Sequence, residues 1–195
     1  MQTLIDDFYA LGAVKFGSFT LKSGIISPFY VDLRLTISSP HLLKKIGEAI
    51  VQKIANKASY ELLCGVPYTA LPFATVMSLQ IGTPMVLKRK EKKEYGTGKR
   101  IEGIFSAGQK CLVIEDVITS GQSVLETVRS LEAEGLVVQD IVVIVDREQG
   151  GRAAIEAQGY RLHSLFTISE MTETLAAQGK INATHREALY AFLAG

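Results

Sequence analysis

Two adjacent carboxylates and a short run of hydroxyl side chains stand at the end of one apolar segment of this sequence. The acids are Glu115 and Asp116, which follow CLVI, and the run TSGQS at residues 119–123 opens the next helical pattern. N–H groups at a helix start favour an anion, and a glycine lets that anion approach the backbone closely. Carboxylates accept hydrogen bonds from sugar hydroxyls. The combination therefore predicts a site for a phosphorylated sugar, with a plain strand end followed by a helix cap as the alternative.

The elements around these residues alternate between apolar runs and helical patterns. Strands are predicted at residues 61–66, 85–87, 110–118, 137–145 and 161–166, and helices at residues 69–80, 121–134 and 151–158. Strands that are apolar on both faces suit a parallel sheet covered by helices on both sides, so the pattern predicts an α/β fold. In such a sheet, ligands bind at the carboxyl ends of the strands. This rule points to the residues that follow Cys64, Ile114 and Val145.

The two ends of the chain carry further predicted elements. Apolar residues recur at helical spacing from residue 4 to residue 11, where Gly12 offers a stop. Extended segments are predicted at residues 16–21 and 29–33, and a helix from Pro40, capped by Ser39, to about residue 55. Two more helices are predicted at residues 170–178 and 182–193. Because no linker or repeat divides the sequence, we expect a single domain over residues 1–195.

Composition excludes several classes of protein. The 21 Lys and Arg residues balance 20 Asp and Glu residues, so no overall field favours nucleic acid or a membrane surface. Cys64 and Cys111 lie in apolar runs without a metal-ligand spacing, which predicts buried, reduced thiols. The N-terminus lacks the pattern of a signal peptide, and no apolar run reaches the ~20 residues of a membrane span. We therefore expect a cytoplasmic protein.

Residues 88–100 form the most basic stretch of the sequence. The segment KRKEKKEYGTGKR carries seven of the 21 Lys and Arg residues and two acids. It shows no apolar periodicity and contains two glycines, which predicts a loop. A leaving group with several negative charges, such as diphosphate, would attract it. A solvated loop and a nucleic-acid patch are the alternatives.

The run VIEDVITSG at residues 113–121 closely resembles the motif with which type I phosphoribosyltransferases bind 5-phosphoribosyl 1-diphosphate (PRPP). Four further segments narrow the resemblance to the orotate phosphoribosyltransferases. They are FGSFTLKSGIISPFYVD (16–32), CGVPYTALP (64–72), KRKEKKEYGTGKRIEG (88–103) and DREQGG (146–151). The five motifs occur in the same order as in that family. They look closest to the form that some organisms fuse to a decarboxylase, and no decarboxylase domain is expected within these 195 residues.

The resemblance implies a fold and an activity. The fold has a mostly parallel central sheet with helices on both faces, a small N-terminal hood (about residues 1–35) and a C-terminal closing segment (about residues 160–195). The implied reaction converts orotate and PRPP to orotidine 5′-phosphate and diphosphate in pyrimidine (UMP) biosynthesis. The implied cofactor is Mg²⁺, held mainly by substrate oxygens and water rather than directly by protein residues.

The resemblance assigns most of the site residues to PRPP. Glu115 and Asp116 would bind the ribose hydroxyls, and Asp116 would also take part in catalysis by stabilising positive charge on the ribose. The adjoining segment would contact PRPP and hold its 5-phosphate through Val117, Ile118, Thr119, Ser120, Gly121, Gln122 and Ser123. The diphosphate would contact Tyr68 and Thr69, and Lys22 would contact the diphosphate or the base. Many relatives have lysine in place of Thr69, so backbone amides would carry that contact, with Lys22 or the basic loop supplying the cation.

A second group of residues is assigned to orotate by the same resemblance. Tyr30 and Val31 would line the base pocket, and Phe29 would share this role. Arg147 would bind the orotate carboxylate, since a planar guanidinium matches a carboxylate with two hydrogen bonds. Thr119 would provide a second contact. The alternative for Arg147 is an ion pair with one of the acids beside it in DREQGG.

The basic segment corresponds to the catalytic loop, which in the family closes over the active site of the neighbouring subunit and so implies a homodimer. Arg89, Lys90, Lys93 and Tyr95 would contact PRPP. Lys93 is the second residue assigned to catalysis, where it would neutralise or protonate the leaving diphosphate. Tyr95 stands where bacterial relatives often have histidine, so we expect a weaker histidine-like pH signature.

Three other functions remain open from the sequence. A phosphoribosyltransferase for another base, such as a purine, would need a different base-recognition segment and would leave Arg147 without a purpose. A non-catalytic regulator that keeps a PRPP site and binds RNA would need a basic face outside the loop. A structural subunit without chemistry would not need the paired acids beside a phosphate loop.

Overall fold

A six-stranded sheet forms the centre of the computed structural model, which describes residues 2–21, 24–54, 60–89 and 100–195. The strands are β1 (Val14–Thr20), β2 (Ile26–Val31), β3 (Leu62–Gly65), β4 (Met85–Lys88), β5 (Ile101–Glu102), β6 (Lys110–Ile118), β7 (Val137–Asp146) and β8 (Arg161–Thr167). The helices are α1 (Gln2–Ala10), α2 (Pro40–Ile54), α3 (Ala70–Ile81), α4 (Gln122–Ala133), α5 (Gly151–Glu156), α6 (Ile168–Ala177) and α7 (Ala183–Leu193). No helix within these described ranges is long and apolar enough to cross a membrane.

The sheet has the strand order β5-β4-β3-β6-β7-β8, and its strands are parallel except for β5. Leu112, Val113 and Ile114 in β6 are fully buried, as expected for a strand covered by helices on both faces. The predicted α/β class is therefore confirmed. Sequence analysis did not find β5, because two residues are too few to show a periodicity.

The order of the strands places a crevice between β3 and β6. From β3 the chain passes to β4 on one side, and it later returns to form β6 on the other side. Val66 N–H donates to the Ile114 carbonyl at 2.9 Å, so β3 ends there while β6 continues for four more residues to Ile118. Ligands bind at such a reversal of strand order, outside the carboxyl ends of the strands. The acids at the end of β6 lie at this position.

A separate two-stranded antiparallel sheet is formed by β1 and β2, and the last helix packs against it. Phe29 in β2 meets Phe192 in α7 edge to face, with ring centroids 5.9 Å apart. The two ends of the chain also meet, since Lys180 Nζ lies 2.7 Å from Asp6 Oδ1. Segments from both ends of the sequence therefore pack against each other.

The second extended segment predicted near the N-terminus is wrong at its end. The prediction ran to Leu33, whereas β2 ends at Val31 and Leu33–Ser38 forms a 3₁₀ helix. The Asp32 carboxylate accepts the backbone N–H of Arg34 at 3.1 Å and binds its guanidinium at 2.7 Å. A side chain that accepts a backbone N–H of the first turn favours the start of a helix. The strand therefore ends before Asp32.

Both cysteines lie in the core, on neighbouring strands. Cys64 and Cys111 are free thiols with almost no exposed surface. Burial raises the pKa of Cys64 to about 12, and burial also raises the pKa of Cys111. Because the thiolate is the reactive form, these thiols are inert packing groups, and the predicted role for them is confirmed.

Candidate active site

The loop between β6 and α4 has the geometry of an anion site. Gly121 begins α4 in a left-handed conformation (φ 77°), and no side chain caps the helix. The N–H groups of the first turn are therefore left to a ligand rather than to a capping residue. A cleft of about 120 Å³ lies over this turn and is lined by Glu115, Val117, Ile118, Thr119, Ser120, Gly121, Gln122, Ser123 and Val124. The structure thus brings the predicted phosphate segment together with the first of the two acids.

The loop rests directly on the start of α5, and two glycines make this possible. A Cβ atom on Gly151 would lie 2.6 Å from the Thr119 carbonyl oxygen and 3.1 Å from the Gly121 nitrogen. A Cβ on Gly121 would lie 3.1 Å from the Gly151 carbonyl oxygen. Sequence analysis did not assign Gly151 a role, although its place in the segment DREQGG was a signal. Gly121 and Gly151 therefore allow the backbone of the loop to lie in close contact with the start of α5.

The two acids differ in environment. Glu115 is only 6% exposed, and its Oε1 accepts the backbone N–H of Asp116 at 3.0 Å. Burial raises the pKa of Glu115 well above its usual range, and the neighbouring Asp116 raises it further. Asp116 itself is half-buried. A carboxyl that holds its proton can both donate to and accept from a sugar hydroxyl, which suits the predicted role of Glu115.

Glu115→Gln should make the protein progressively more stable than the wild type as the pH rises. The folded pKa of Glu115 is raised, so its contribution to stability is complete below the unfolded pKa and is lost as pH rises toward the folded pKa. Glutamine has no proton to lose, so the stability difference between the two proteins should grow from pH ~4.3 upward, by at most about 1 kcal/mol per pH unit, until the pH reaches the folded pKa of Glu115. Thermal melting between pH 4 and pH 9 measures this difference. Exposed Glu48, changed to Gln, is the control, and a pH-independent difference would contradict the proposed state of Glu115.

Arg147 carries a half-buried charge next to the Phe29 ring. Its backbone N–H donates to the Ile118 carbonyl at 3.2 Å, which places the residue beside Thr119. The guanidinium carbon lies 4.8 Å from the centre of the Phe29 ring, and burial lowers the pKa of this group, which still remains a cation. Nε and Nη2 are buried and have no hydrogen-bond partner among the residues that the structure describes. A buried, unpaired guanidinium is costly, and a planar anion would satisfy it.

The alternative role for Arg147, an ion pair with a neighbouring acid, is wrong. The Asp146 carboxylate is occupied by Arg152 Nε at 3.1 Å and by the Glu148 N–H at 2.9 Å. The Glu148 side chain accepts the Ser169 N–H at the start of α6, at 2.8 Å. Both acids therefore hold the turn in place and leave the guanidinium free of them. Gln149, to which the sequence alone gave no role, adds a further buried atom, Oε1, without a partner in the described ranges.

The residues predicted to line the base pocket lie at the end of β2. Phe29 is fully buried beneath Arg147, while Tyr30 and Val31 are half-buried. The Tyr30 ring lies 5.7 Å from that of Phe19, and its hydroxyl accepts from Arg34 Nη2 at 3.5 Å. Of the three residues, Phe29 has the clearest contact with the guanidinium. Phe29 is therefore placed against Arg147, and the base-pocket roles of Tyr30 and Val31 stay predictions.

The turn after β3 carries Tyr68 and Thr69. Gly65 is tightly packed there, since a Cβ on it would lie 2.7 Å from the Ala70 carbonyl oxygen. Thr69 stands at the start of α3 without a side-chain cap, so the first backbone N–H groups of that helix are not satisfied by its hydroxyl. Tyr68 is exposed. The expected diphosphate contact of this turn stays a prediction, and its geometry is compatible with a contact through backbone amides.

The basic segment is described only at its two ends. Arg89 Nη1 lies 2.9 Å from the Glu102 carboxylate across the β4–β5 pair, so this predicted PRPP contact is engaged by the protein. The predicted residues Lys22, Lys90, Lys93 and Tyr95 lie outside the described residues. Their assigned roles stay predictions.

Comparisons with known proteins agree with this site. The model of the phosphoribosyl transferase domain matches residues 36–165, which is more than half of the chain. The uridine 5′-monophosphate synthase of Bos taurus is 48% identical over 194 residues, which cover 99% of this chain and 40% of that protein. The chain thus spans less than half the length of this relative.

Two shorter relatives match over most of their length. The orotate phosphoribosyltransferase of Chlamydia caviae is 43% identical over 180 residues, which cover 91% of this chain and 87% of that protein. The crystal structure of Mycobacterium tuberculosis H37Rv orotate phosphoribosyltransferase in complex with PRPP is 30% identical, with a TM-score of 0.73, and the match covers 88% of this chain and 98% of that one. The family membership predicted from the sequence is therefore confirmed: the chain belongs to the orotate phosphoribosyltransferases and has the type I phosphoribosyltransferase fold.

Proposed function

We propose that this chain transfers the 5-phosphoribosyl group of PRPP to orotate, giving orotidine 5′-phosphate and diphosphate, in the cytoplasm. The observation that carries the proposal is the unpaired guanidinium of Arg147, which lies over the Phe29 ring beside the end of β6. A planar base with a carboxylate can lie near the aromatic ring and satisfy the buried cation at the same time. A purine offers no carboxylate, so this feature favours orotate over the other bases considered.

The reaction requires a ring nitrogen of orotate to lose its proton to solvent and to form a bond with the anomeric carbon of PRPP while the bond to diphosphate breaks. The electron pair of that bond leaves with the diphosphate, and positive charge develops on the ribose. Glu115 and Asp116 would hold the ribose hydroxyls, and Asp116 would stabilise the developing charge. The N–H groups at the start of α4 would hold the 5-phosphate, so the sugar is fixed at both ends. Lys93 of the basic segment is proposed to neutralise the leaving group.

Mg²⁺ is proposed to enter with PRPP. Within the described ranges, no three His, Cys, Asp or Glu side chains converge to hold a metal ion. Mg²⁺ usually keeps several waters and binds one or two carboxylates together with substrate phosphates. The ion would therefore be held mainly by oxygens of PRPP and by water. The ion would neutralise charge on the diphosphate.

A homodimer is proposed from the surface of α3. This helix is apolar on nearly all sides, and such helices are usually covered. Its outer side carries Leu79, which is 82% exposed, and the adjacent sheet edge carries Leu87 and Ile104. A second copy of the chain would cover this face and would place the basic segment of each subunit near the other active site.

Leu79→Glu should dissociate the dimer and abolish most activity. Burying an unpaired carboxylate at an interface costs at least several kcal/mol, which shifts association by two orders of magnitude or more. Sedimentation at micromolar concentration distinguishes the 21.2 kDa monomer from a particle of twice that mass. Val137→Glu, at an exposed apolar site on β7, is the matched control. A fully active wild-type monomer would refute both the dimer and the shared loop.

The activity can be tested directly. Protein, PRPP, Mg²⁺ and orotate are mixed, and the loss of orotate absorbance is followed. Parallel reactions contain uracil or a purine in place of orotate. We expect strong turnover with orotate, weak turnover with uracil and none with a purine, and no turnover after chelation of the metal, with recovery when Mg²⁺ is added back. Turnover with a purine, or PRPP binding without any turnover, would reject the proposed function.

A further inference from the structure

Lys88, the last residue of β4, occupies an unusual position for a lysine. Its side chain is half-buried, and its ammonium lies 3.4 Å from the Thr127 hydroxyl on α4. That hydroxyl donates to the Ser123 carbonyl at 2.9 Å, within the first turn of the same helix. Lys88 therefore reaches from the sheet to the helix that begins at the phosphate loop.

The ammonium of Lys88 has no ion pair within 4.0 Å among the described residues. The nearest acid along α4 is Glu126, whose carboxylate accepts from Gln122 Nε2 at 3.0 Å. Burial lowers the pKa of Lys88, and Glu126 partly offsets this effect. The Lys88 ammonium is thus partly desolvated and lacks a full counter-charge. A bound anionic ligand would stabilise it.

A cleft of about 160 Å³ opens at this lysine and joins the two phosphate-binding candidates of the site. It is lined by Val66, Pro67, Lys88, Ser123, Glu126 and Thr127. Val66 and Pro67 lead into the turn of Tyr68 and Thr69, and Ser123 belongs to the first turn of α4. Lys88 is the cationic side chain of this lining, and it lies between the positions expected for the diphosphate and the 5-phosphate.

We propose that Lys88 is a further cation of the PRPP site, which attracts the phosphate groups of PRPP through the cleft between the Val66–Pro67 turn and the first turns of α4. The inference rests on the proposed function, because it presumes that PRPP occupies this crevice. A cation that is partly screened from water interacts with a polyanion more strongly than a surface lysine does. The effect should fall on PRPP and not on orotate, since Arg147 and Phe29 lie on the opposite side of the phosphate loop, next to β7 and β2.

Two substitutions at this position separate charge from packing. Lys88→Met keeps the length of the stem and removes the charge, whereas Lys88→Arg keeps the charge. We expect Lys88→Met to raise the Kd and KM for PRPP about 10-fold, with the KM for orotate changed less than about 2-fold. Lys88→Arg should stay within about 3-fold of the wild type for both substrates. Lys44→Met, at an exposed lysine of α2, is the control and should behave as the wild type.

Calorimetry with PRPP and Mg²⁺ measures the Kd without orotate, and steady-state assays give the KM values. A Lys88→Met protein that melts like the wild type and binds PRPP equally well overturns the inference. If that variant does not fold, Lys88→Gln takes its place and is judged by the same criterion. A wild-type protein that neither binds PRPP nor consumes orotate refutes the proposed function. An active wild type with an unaffected Lys88→Met variant refutes the role of Lys88 alone.

Discussion

Arg147→Met should lower kcat/KM for orotate by about 10²- to 10³-fold and leave the Kd for PRPP within a few-fold of the wild type. The guanidinium is half-buried over Phe29, and its Nε and Nη2 have no hydrogen-bond partner in the part of the chain that the structure describes, so a bound carboxylate would be its main partner. Losing one side of a desolvated charge pair typically costs 2–5 kcal/mol, roughly 30- to 4000-fold. Arg147→Lys should recover part of the loss, since it restores the charge but not the planar pair of donors.

The comparison with uracil, which has no carboxylate, makes this test specific. The wild type should prefer orotate strongly, and Arg147→Met should lose most of that preference while its weak activity with uracil stays about the same. Arg186→Met, which removes an exposed guanidinium paired with Glu173, is the control. An unchanged ratio of orotate to uracil turnover in Arg147→Met would mean that the carboxylate binds elsewhere.

Gly151→Ala should weaken PRPP binding by about 10²-fold even though alanine is the better helix former. The new Cβ would lie 2.6 Å from the Thr119 carbonyl oxygen, a distance that real Cβ atoms do not adopt, so the phosphate loop must move. A displacement of about 1 Å at such a site costs roughly two orders of magnitude. Calorimetric titration with PRPP and Mg²⁺ measures the loss, and the melting temperature shows whether the protein is still folded.

Gly150→Ala is a control in the same turn, because it introduces backbone strain without a steric clash. Gly150 has a φ of 89°, and a Cβ there would meet no atom within 4 Å. That variant should lose about 1–2 kcal/mol of stability and keep its affinity for PRPP. Equal PRPP affinity in Gly151→Ala and the wild type would show that contact with α5 does not set the position of the loop.

Long apolar strands and the phosphate loop could be predicted from the sequence. The bounds of β6 agree with the predicted 110–118, because a nine-residue segment with a buried apolar centre is readily identified as a strand. Glu115 and the loop at residues 119–123 were identified because their chemistry is local: two acids, a glycine and hydroxyls follow one another along the chain. Such features survive folding unchanged, since neighbours in sequence remain neighbours in space.

The remaining features depend on contacts between distant segments and could not be predicted in this way. Gly151 matters because α5 touches Thr119, and Lys88 matters because β4 faces α4. The free state of Arg147 depends on Arg152, which occupies Asp146 from the next helix. Periodicity and composition contain no information on such distances. The roles of Lys22, Lys90, Lys93 and Tyr95 stay predictions from the family resemblance.

The contact between Phe29 and Phe192 has a consequence for the order in which the protein matures on the ribosome. Phe29, beneath Arg147, is supported by a ring from α7, which is translated more than 160 residues later. The phosphate loop finds its support at Gly151 well before that point. Because a domain folds as a unit and α7 supports the Phe29 ring, we expect the proposed base pocket to be complete only after α7 has left the exit tunnel.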